Sequence, residues 1–188
     1  MTVSRREAIK RAAIFFGSTL FLPDVLKAWE SPKILNKSIR FSADQSAIIA
    51  QVADIIVPTT STPGAKAAGV PAFIQKMVAD CTPQKDQEIF FKGLNKLDSD
   101  SVEKFGKNFL DCSNEQQIAM LKLAETDSYT NDKKFKPGEH FFKTMKNLTV
   151  FGYFTSEIGA TQALRYEPVP GKYDGDVPYK KSEKAWAE

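Results

Sequence analysis

The chain is poor in the residues that carry most protein chemistry. Among its 188 residues there is one histidine, His140, and there are two cysteines, Cys81 and Cys112. A zinc site or a di-iron carboxylate bundle draws on several histidines or on Glu-x-x-His pairs, and here Glu139 is adjacent to His140 instead of three residues before it. Covalent haem needs a CxxCH motif and an iron–sulfur cluster needs four cysteines; Cys81 and Cys112 are too far apart in sequence for the first and too few for the second. Gly64 and Gly69 bracket alanine and lysine, which is not a phosphate-cradling strand-to-helix turn. A Ser-His-Asp site would have to use His140, and no G-x-S-x-G elbow accompanies it. A lone histidine without such partners reads as structural or solvated. No catalytic, metal or cofactor residue is therefore assigned in this chain.

Net charge is also missing once the chain is divided. The formal charge is +3, but residues 1–29 already hold Arg5, Arg6, Lys10, Arg11 and Lys27 against Glu7 and Asp24, leaving 21 residues of each sign in the rest. A phosphate-binding face needs a basic excess, so a nucleic-acid role is disfavoured. The chain has no alternating run of strand length and no repeat at a fixed period. Nor does it contain the roughly 20 apolar residues that a membrane span requires. Its longest apolar run, Ala12 to Leu22, is stopped by Pro23, Asp24 and Lys27.

That run follows Ser4-Arg-Arg-Glu-Ala-Ile-Lys10 and Arg11, so a basic segment precedes a short apolar one. This is the pattern of an export signal, and the paired Arg5 and Arg6 after Ser4 point to the twin-arginine route, which carries folded proteins. Leu26-Lys-Ala28 only partly matches a small-x-small cleavage site, so the signal segment 1–29 is either removed there or retained as an anchor. Residues 30–40 read as a linker, a helical domain follows over 41–165, and 166–188 form a tail.

Within the domain, Ser42-Ala-Asp-Gln45 has capping-box spacing, and Ile48, Ile49, Val52, Ala53 and Ile56 make a buried stripe that Pro58 ends. The loop Pro58 to Val70 reads as a solvated connector. Pro71 suits the first position of a second helix with Phe73, Ile74, Met77 and Val78 inward. Thr82-Pro83 starts a third helix to about Leu97, and a fourth is expected around Val102, Phe105 and Phe109. Ser113-Asn-Glu-Gln116 is a second capping box, opening a helix with Ile118, Leu121 and Ala124 inward. A charged loop, Asn131 to Pro137, precedes a helix starting near Pro137 that buries Phe141, Met145 and Leu148, with Phe142 and Phe151 widening the stripe. A short helix over about Ser156 to Leu164 closes the domain. The fold class is all-α, an irregular bundle of about six to eight helices with an extended Tyr/Pro/Gly-rich C-terminal tail.

The tail changes character after Arg165, where Pro168, Pro170, Gly171, Gly175 and Pro178 forbid a long regular element. Four of the five tyrosines, Tyr153, Tyr166, Tyr173 and Tyr179, nevertheless fall in this region, with Trp186 beyond them. Disordered tails are poor in aromatics, so this one is ordered by lying against something, either its own bundle or another protein. Glu157 and Arg165, eight apart, could share one side of a short helix, with surface pairing as the default.

The run LTVFGYFTSEIGATQALRYEPVPGKYDG resembles the C-terminal signature of the gluconate 2-dehydrogenase subunit 3 family, the small subunits of exported flavoprotein sugar dehydrogenases. The stretch Asp54 to Pro71 resembles that family's first helix end and following loop, and the N-terminus resembles its twin-arginine leader. The resemblance implies a non-catalytic subunit that binds a large FAD-dependent dehydrogenase of the glucose-methanol-choline type, stabilises it and escorts it through the twin-arginine translocase. FAD would reside in that partner, and a cytochrome c subunit beside it is left open. The location implied is periplasmic, membrane-associated if the leader is retained. Partner contact is assigned to Tyr153, Phe154, Tyr166, Tyr173 and Tyr179. The competing reading is a self-contained exported helical enzyme using Glu157, His140 or tyrosines. An oxidising compartment permits a Cys81–Cys112 disulfide, and folding in the cytoplasm before export opposes it.

Overall fold

The computed structural model describes residues 40–130 and 140–169 together with residues 171, 175, 176, 178, 180, 181 and 183–187 of the tail. The leader with Arg5 and Arg6, the linker before Arg40, the loop 131–139, Tyr173 and Tyr179 lie outside the described residues.

Helix α1, Ala43–Ile56, starts on the expected capping box. The Ser42 hydroxyl accepts from Gln45 N–H at 3.1 Å and the Gln45 side chain accepts from Ser42 N–H at 3.1 Å. Two of the helix's unsatisfied amides are thereby paired. Its buried side carries Ile48, Ile49, Val52 and Ala53, and Pro58 bars continuation. Helix α2, Val70–Lys76, has Pro71 one residue inside its start and runs on as a π-helical turn, Met77–Cys81. That wider turn leaves carbonyls off the regular ladder. The buried Gln87 amide nitrogen lies 2.9, 3.0 and 3.0 Å from the carbonyls of Val78, Ala79 and Thr82.

One helix, α3, Gln84–Phe105, stands where two were expected. The polar run Asp98-Ser-Asp-Ser101 continues the helix, because three of its side chains bond within it. Ser101 Oγ donates to Leu97 O at 2.7 Å, Ser99 Oγ donates to Asn95 O at 3.0 Å, and Asp100 pairs with Lys96. Hydroxyls that bond four residues back leave the helical path intact. The helix ends at Gly106, whose φ of 69° is the left-handed cap that glycine favours. Phe109 is not helix α3 at all. It sits in a 3₁₀ turn, Phe109–Asp111, pinned by its own N–H donating to Asp98 Oδ1 at 2.8 Å.

Helix α4, Asn114–Thr130, uses the second capping box: Gln116 N–H donates to Ser113 Oγ at 3.3 Å and the Gln116 side chain accepts from Ser113 N–H at 2.9 Å. Its most buried side chains are Gln117, Met120, Leu121 and Ser128, rotated from the expected Ile118 stripe. Gln117 explains the rotation, because its amide donates to Phe109 O at 2.8 Å and its oxygen accepts from Gln51 at 3.0 Å.

Helix α5, Phe141–Phe154, packs against α1, α2, α3 and α4 and is the centre of the bundle. Phe141, Phe142, Met145, Thr149, Gly152 and Tyr153 are buried. Phe151 is the exception to the expected stripe. It is 56% exposed and leans on Phe73 with ring centroids 6.0 Å apart. After α5 comes a short π-helical turn, Gly159–Ala163, where a short helix was expected. The tail then forms a two-residue strand β1, Arg165–Tyr166, paired in parallel with β2, Trp186–Ala187. The class is all-α with this minimal ladder as its only sheet among the described residues. No helix among them is long and apolar enough to cross a membrane.

Two glycines set how closely α5 can approach. A methyl group on Gly93 would fall inside the Phe141 side chain, and one on Gly152 would lie 2.6 Å from the Phe73 ring. Gly93→Ala should therefore lower stability by about 1–3 kcal/mol, the usual cost of overpacking, although alanine is the better helix former. Urea denaturation of the purified domain checks this, and an unchanged midpoint would contradict it.

Candidate partner-binding surface

Large apolar side chains that a core would normally hide collect at the C-terminal end of α5 and on the tail. Phe154 is 41% exposed, Tyr166 and Trp186 are each 48% exposed, and Val150, Phe151 and Val169 also face outward. Scattered exposed apolar residues need no explanation, but aromatics grouped at one end of a domain do.

Local packing holds the α5 part of this group in place. Tyr153, by contrast, is 3% exposed, and its hydroxyl donates to Pro63 O at 2.8 Å. Phe154 lies edge-on to it, with centroids 5.3 Å apart and planes at 78°. Of the residues assigned to partner contact, Tyr153 is buried, and Phe154 and Tyr166 are exposed. The exposed rings of Trp186 and Phe151 were not among those assigned. Trp186 carried a compositional signal only, and the helical period placed Phe151 inward.

β1 packs against the π-helical turn and against β2, and both its residues are exposed. Arg165 N–H donates to Ala185 O at 2.8 Å and Glu167 N–H donates to Ala187 O at 3.0 Å. The Arg165 guanidinium sits 3.9 Å from the Trp186 ring centroid, a cation–π contact, and Lys184 donates to Gln162 O. Arg165 is therefore occupied by Trp186 and makes no ion pair with Glu157.

The residues of the competing enzyme reading are not brought together. His140 caps the start of α5, where its Nδ1 accepts from Phe142 N–H at 3.2 Å and its Nε2 lies 3.3 Å from Asp127 Oδ2. Glu157 follows the other end of the same helix, roughly 20 Å away at 1.5 Å per residue. His140 and Asp127 do border a cleft of about 730 Å³ whose apolar wall includes Leu97, Met120, Leu123 and Phe141. Among the described residues no three His, Cys, Asp or Glu side chains are grouped as a metal site would need.

The electrostatics are those of a stable surface. Lys146 has its pKa raised by the hydrogen bond from its ammonium to Glu125 at 2.6 Å, against a smaller opposing effect of burial. Glu115 has its pKa lowered by the hydroxyl of Ser113, which donates to it at 2.9 Å within the capping turn.

The model of one protein family, gluconate 2-dehydrogenase subunit 3, matches residues 43–171. The chain belongs to this family. The match begins at the first residue of α1 and runs through all five helices, the π-helical turn and β1, so it takes in Tyr153, Phe154 and Tyr166 and stops before Tyr173, Tyr179 and Trp186. No curated protein and no solved structure matches the chain. The gluconate 2-dehydrogenase subunit 3 family is by name one of subunits in a dehydrogenase complex, and this chain is accordingly a subunit of such a complex.

The Cys81–Cys112 disulfide, left open by the sequence, is not formed in this structure, where both thiols are free. Cys112 is buried after the 3₁₀ turn, with its sulfur 3.8 Å from Lys107 O, while Cys81 is exposed at the end of the π-helical turn. One equivalent of thiol reagent should therefore label the native protein at Cys81, and a second equivalent only after denaturation. Prompt labelling of neither, or of both, in the native protein would contradict this arrangement.

Proposed function

We propose that this chain is a non-catalytic accessory subunit of a periplasmic flavoprotein dehydrogenase acting on a sugar or sugar acid. It binds the large subunit, a glucose-methanol-choline type enzyme that holds the FAD, stabilises it, and escorts it through the twin-arginine translocase. Family membership over residues 43–171 is the observation that carries this reading. The outward aromatics at the end of α5 and on the tail support it, since Tyr, Trp and Phe are enriched where proteins meet.

The tail makes a separable contribution to binding. Deleting Tyr166 to Glu188 removes Tyr166, Val169 and Trp186 at once, and hot-spot aromatics cost about 2 kcal/mol or more each when truncated. The shortened chain should keep its helical circular dichroism and lose co-purification with the flavoprotein. If the truncated domain unfolds instead, the tail belongs to the core.

Escort requires a complex that outlives transport, and so an interface of the standard size of about 1,600 Å² or more. Changing Arg5 and Arg6 to lysine keeps the charge and removes the planar guanidinium forks. Both this chain and the flavoprotein should then accumulate in the cytoplasm, with dehydrogenase activity intact there and absent from the periplasm. Normal export of the flavoprotein in that variant would refute the escort role and leave only stabilisation.

A further inference from the structure

Charged residues make up 26% of the chain, yet among the described residues two stretches of ten or more have none: residues 55–65, between Asp54 and Lys66, and residues 147–156, between Lys146 and Glu157. The fold joins them. The first ends α1 and forms the loop into α2, and the second is the C-terminal half of α5 with the turn after it. The buried Tyr153 hydroxyl bridges the two, donating to Pro63 O at 2.8 Å with Thr62 Oγ1 3.4 Å away.

The loop is not the slack connector that its composition suggests. Gly64 N–H donates to Thr59 Oγ1 at 3.0 Å, Ala65 N–H to Val57 O at 2.9 Å, Thr60 N–H to Thr62 O at 3.0 Å and Val70 N–H to Ala65 O at 3.1 Å. These bonds hold Pro58, Thr59, Thr60 and Ser61 in one shape, and all four are exposed. Next to Tyr153, and so at the same end of the molecule, stands the exposed ring of Phe154.

We propose that the loop tip, Pro58 to Ser61, and the end of α5 around Phe154 form one docking surface for the catalytic dehydrogenase subunit. The proposal rests on the accessory-subunit reading and adds to it a strip of backbone and hydroxyls that had been read as solvated. Three properties favour a protein occupant. The centre of a protein interface is depleted of charge, as both strips are, and enriched in aromatics, as the α5 strip is with Phe151, Tyr153 and Phe154. A loop already fixed by its own hydrogen bonds loses little freedom on binding. Long loops without secondary structure of their own are either functional or linkers, and the internal hydrogen bonds of this one set it apart from a linker. Neither strip offers a cation, so nucleic acid and anionic lipid headgroups have nothing to pair with. The complementary face on the dehydrogenase is uncharged, with an apolar recess for Phe154 and polar groups for the Thr and Ser hydroxyls.

The test uses the full chain, affinity-tagged and expressed with the flavoprotein encoded beside it. Wild type should retain the flavoprotein, and if it does not, the accessory reading fails and this proposal with it. Thr60→Arg and Phe154→Arg each place a charge on the surface without entering the core. Each should reduce recovered flavoprotein more than about tenfold with the thermal midpoint unchanged. Glu103→Arg, on the cleft by the other end of α5, should leave recovery at the wild-type level. Loss of binding in Phe154→Arg with full binding in Thr60→Arg would overturn the loop's part while leaving the accessory reading standing. Flotation of the purified chain with phosphatidylethanolamine–phosphatidylglycerol vesicles, lost in both surface variants, would assign the surface to a membrane and overturn the proposal.

Discussion

The bundle depends on burying one helix from four directions. Phe141–Phe154 packs against α1, α2, α3 and α4. The contact is close because the sequence removes side chains where α5 must pass: Gly93 on α3 under Phe141, and Gly152 on α5 itself beside Phe73. Close packing makes each such position sensitive to a single methyl group. The polar residues of the core serve the same end. Gln87 and Gln117 are buried, and each spends its amide on carbonyls that irregular turns leave without partners, so the turns between helices can be tight without leaving buried groups unpaired. Among the described residues no buried side-chain nitrogen or oxygen lacks a partner.

Because α5 is fixed along its length, its two ends can differ in character. The first turn, at His140 and Phe141, is capped and covered. The last turn emerges with Phe151 and Phe154 outward, and Tyr153 anchors it from below. A rigid helix that surfaces at one end supplies aromatic side chains with little freedom to lose, which suits them to contact another subunit.

The parts of the fold that were legible in the sequence are those governed by local rules. Both capping boxes formed as spaced, Ser42 with Gln45 and Ser113 with Gln116, and the α1 stripe from Ile48 to Ala53 is buried as its period implies. What the sequence hid depends on partners distant along the chain or on choices between equal local options. Ser99 and Ser101 could have opened a loop and instead bonded back into α3. Phe151 fits the stripe in projection, yet the space inward of it is already taken by Phe73 against Gly152. The π-helical turn at Met77–Cys81 has no signature of its own, since it exists by virtue of Gln87, which lies in the next helix. At the surface, the aromatic enrichment was legible as composition, whereas the burial of Tyr153 required the position of Pro63, 90 residues away.

The parallel pairing of β1 with β2 has a thermodynamic consequence. Antiparallel strands can be joined by a tight turn, but parallel ones need a long connection, and here Tyr166 and Trp186 are separated by about 20 residues. Closing a loop of that length costs about 2.7 kcal/mol on the (3/2)RT ln n scaling, before any constant. Against it stand a few backbone hydrogen bonds worth about 0.5–1.5 kcal/mol each and an exposed cation–π contact worth about 0.5–1 kcal/mol. The two sides are nearly equal, so the ladder opens and closes at a free energy far below that of global unfolding. Any ligand that recognises the closed form binds with an apparent affinity scaled by the closed fraction, and in return it draws that fraction toward one. The β1–β2 ladder is thus poised near its own midpoint, and its closure responds to whatever is seated against Tyr166 and Trp186.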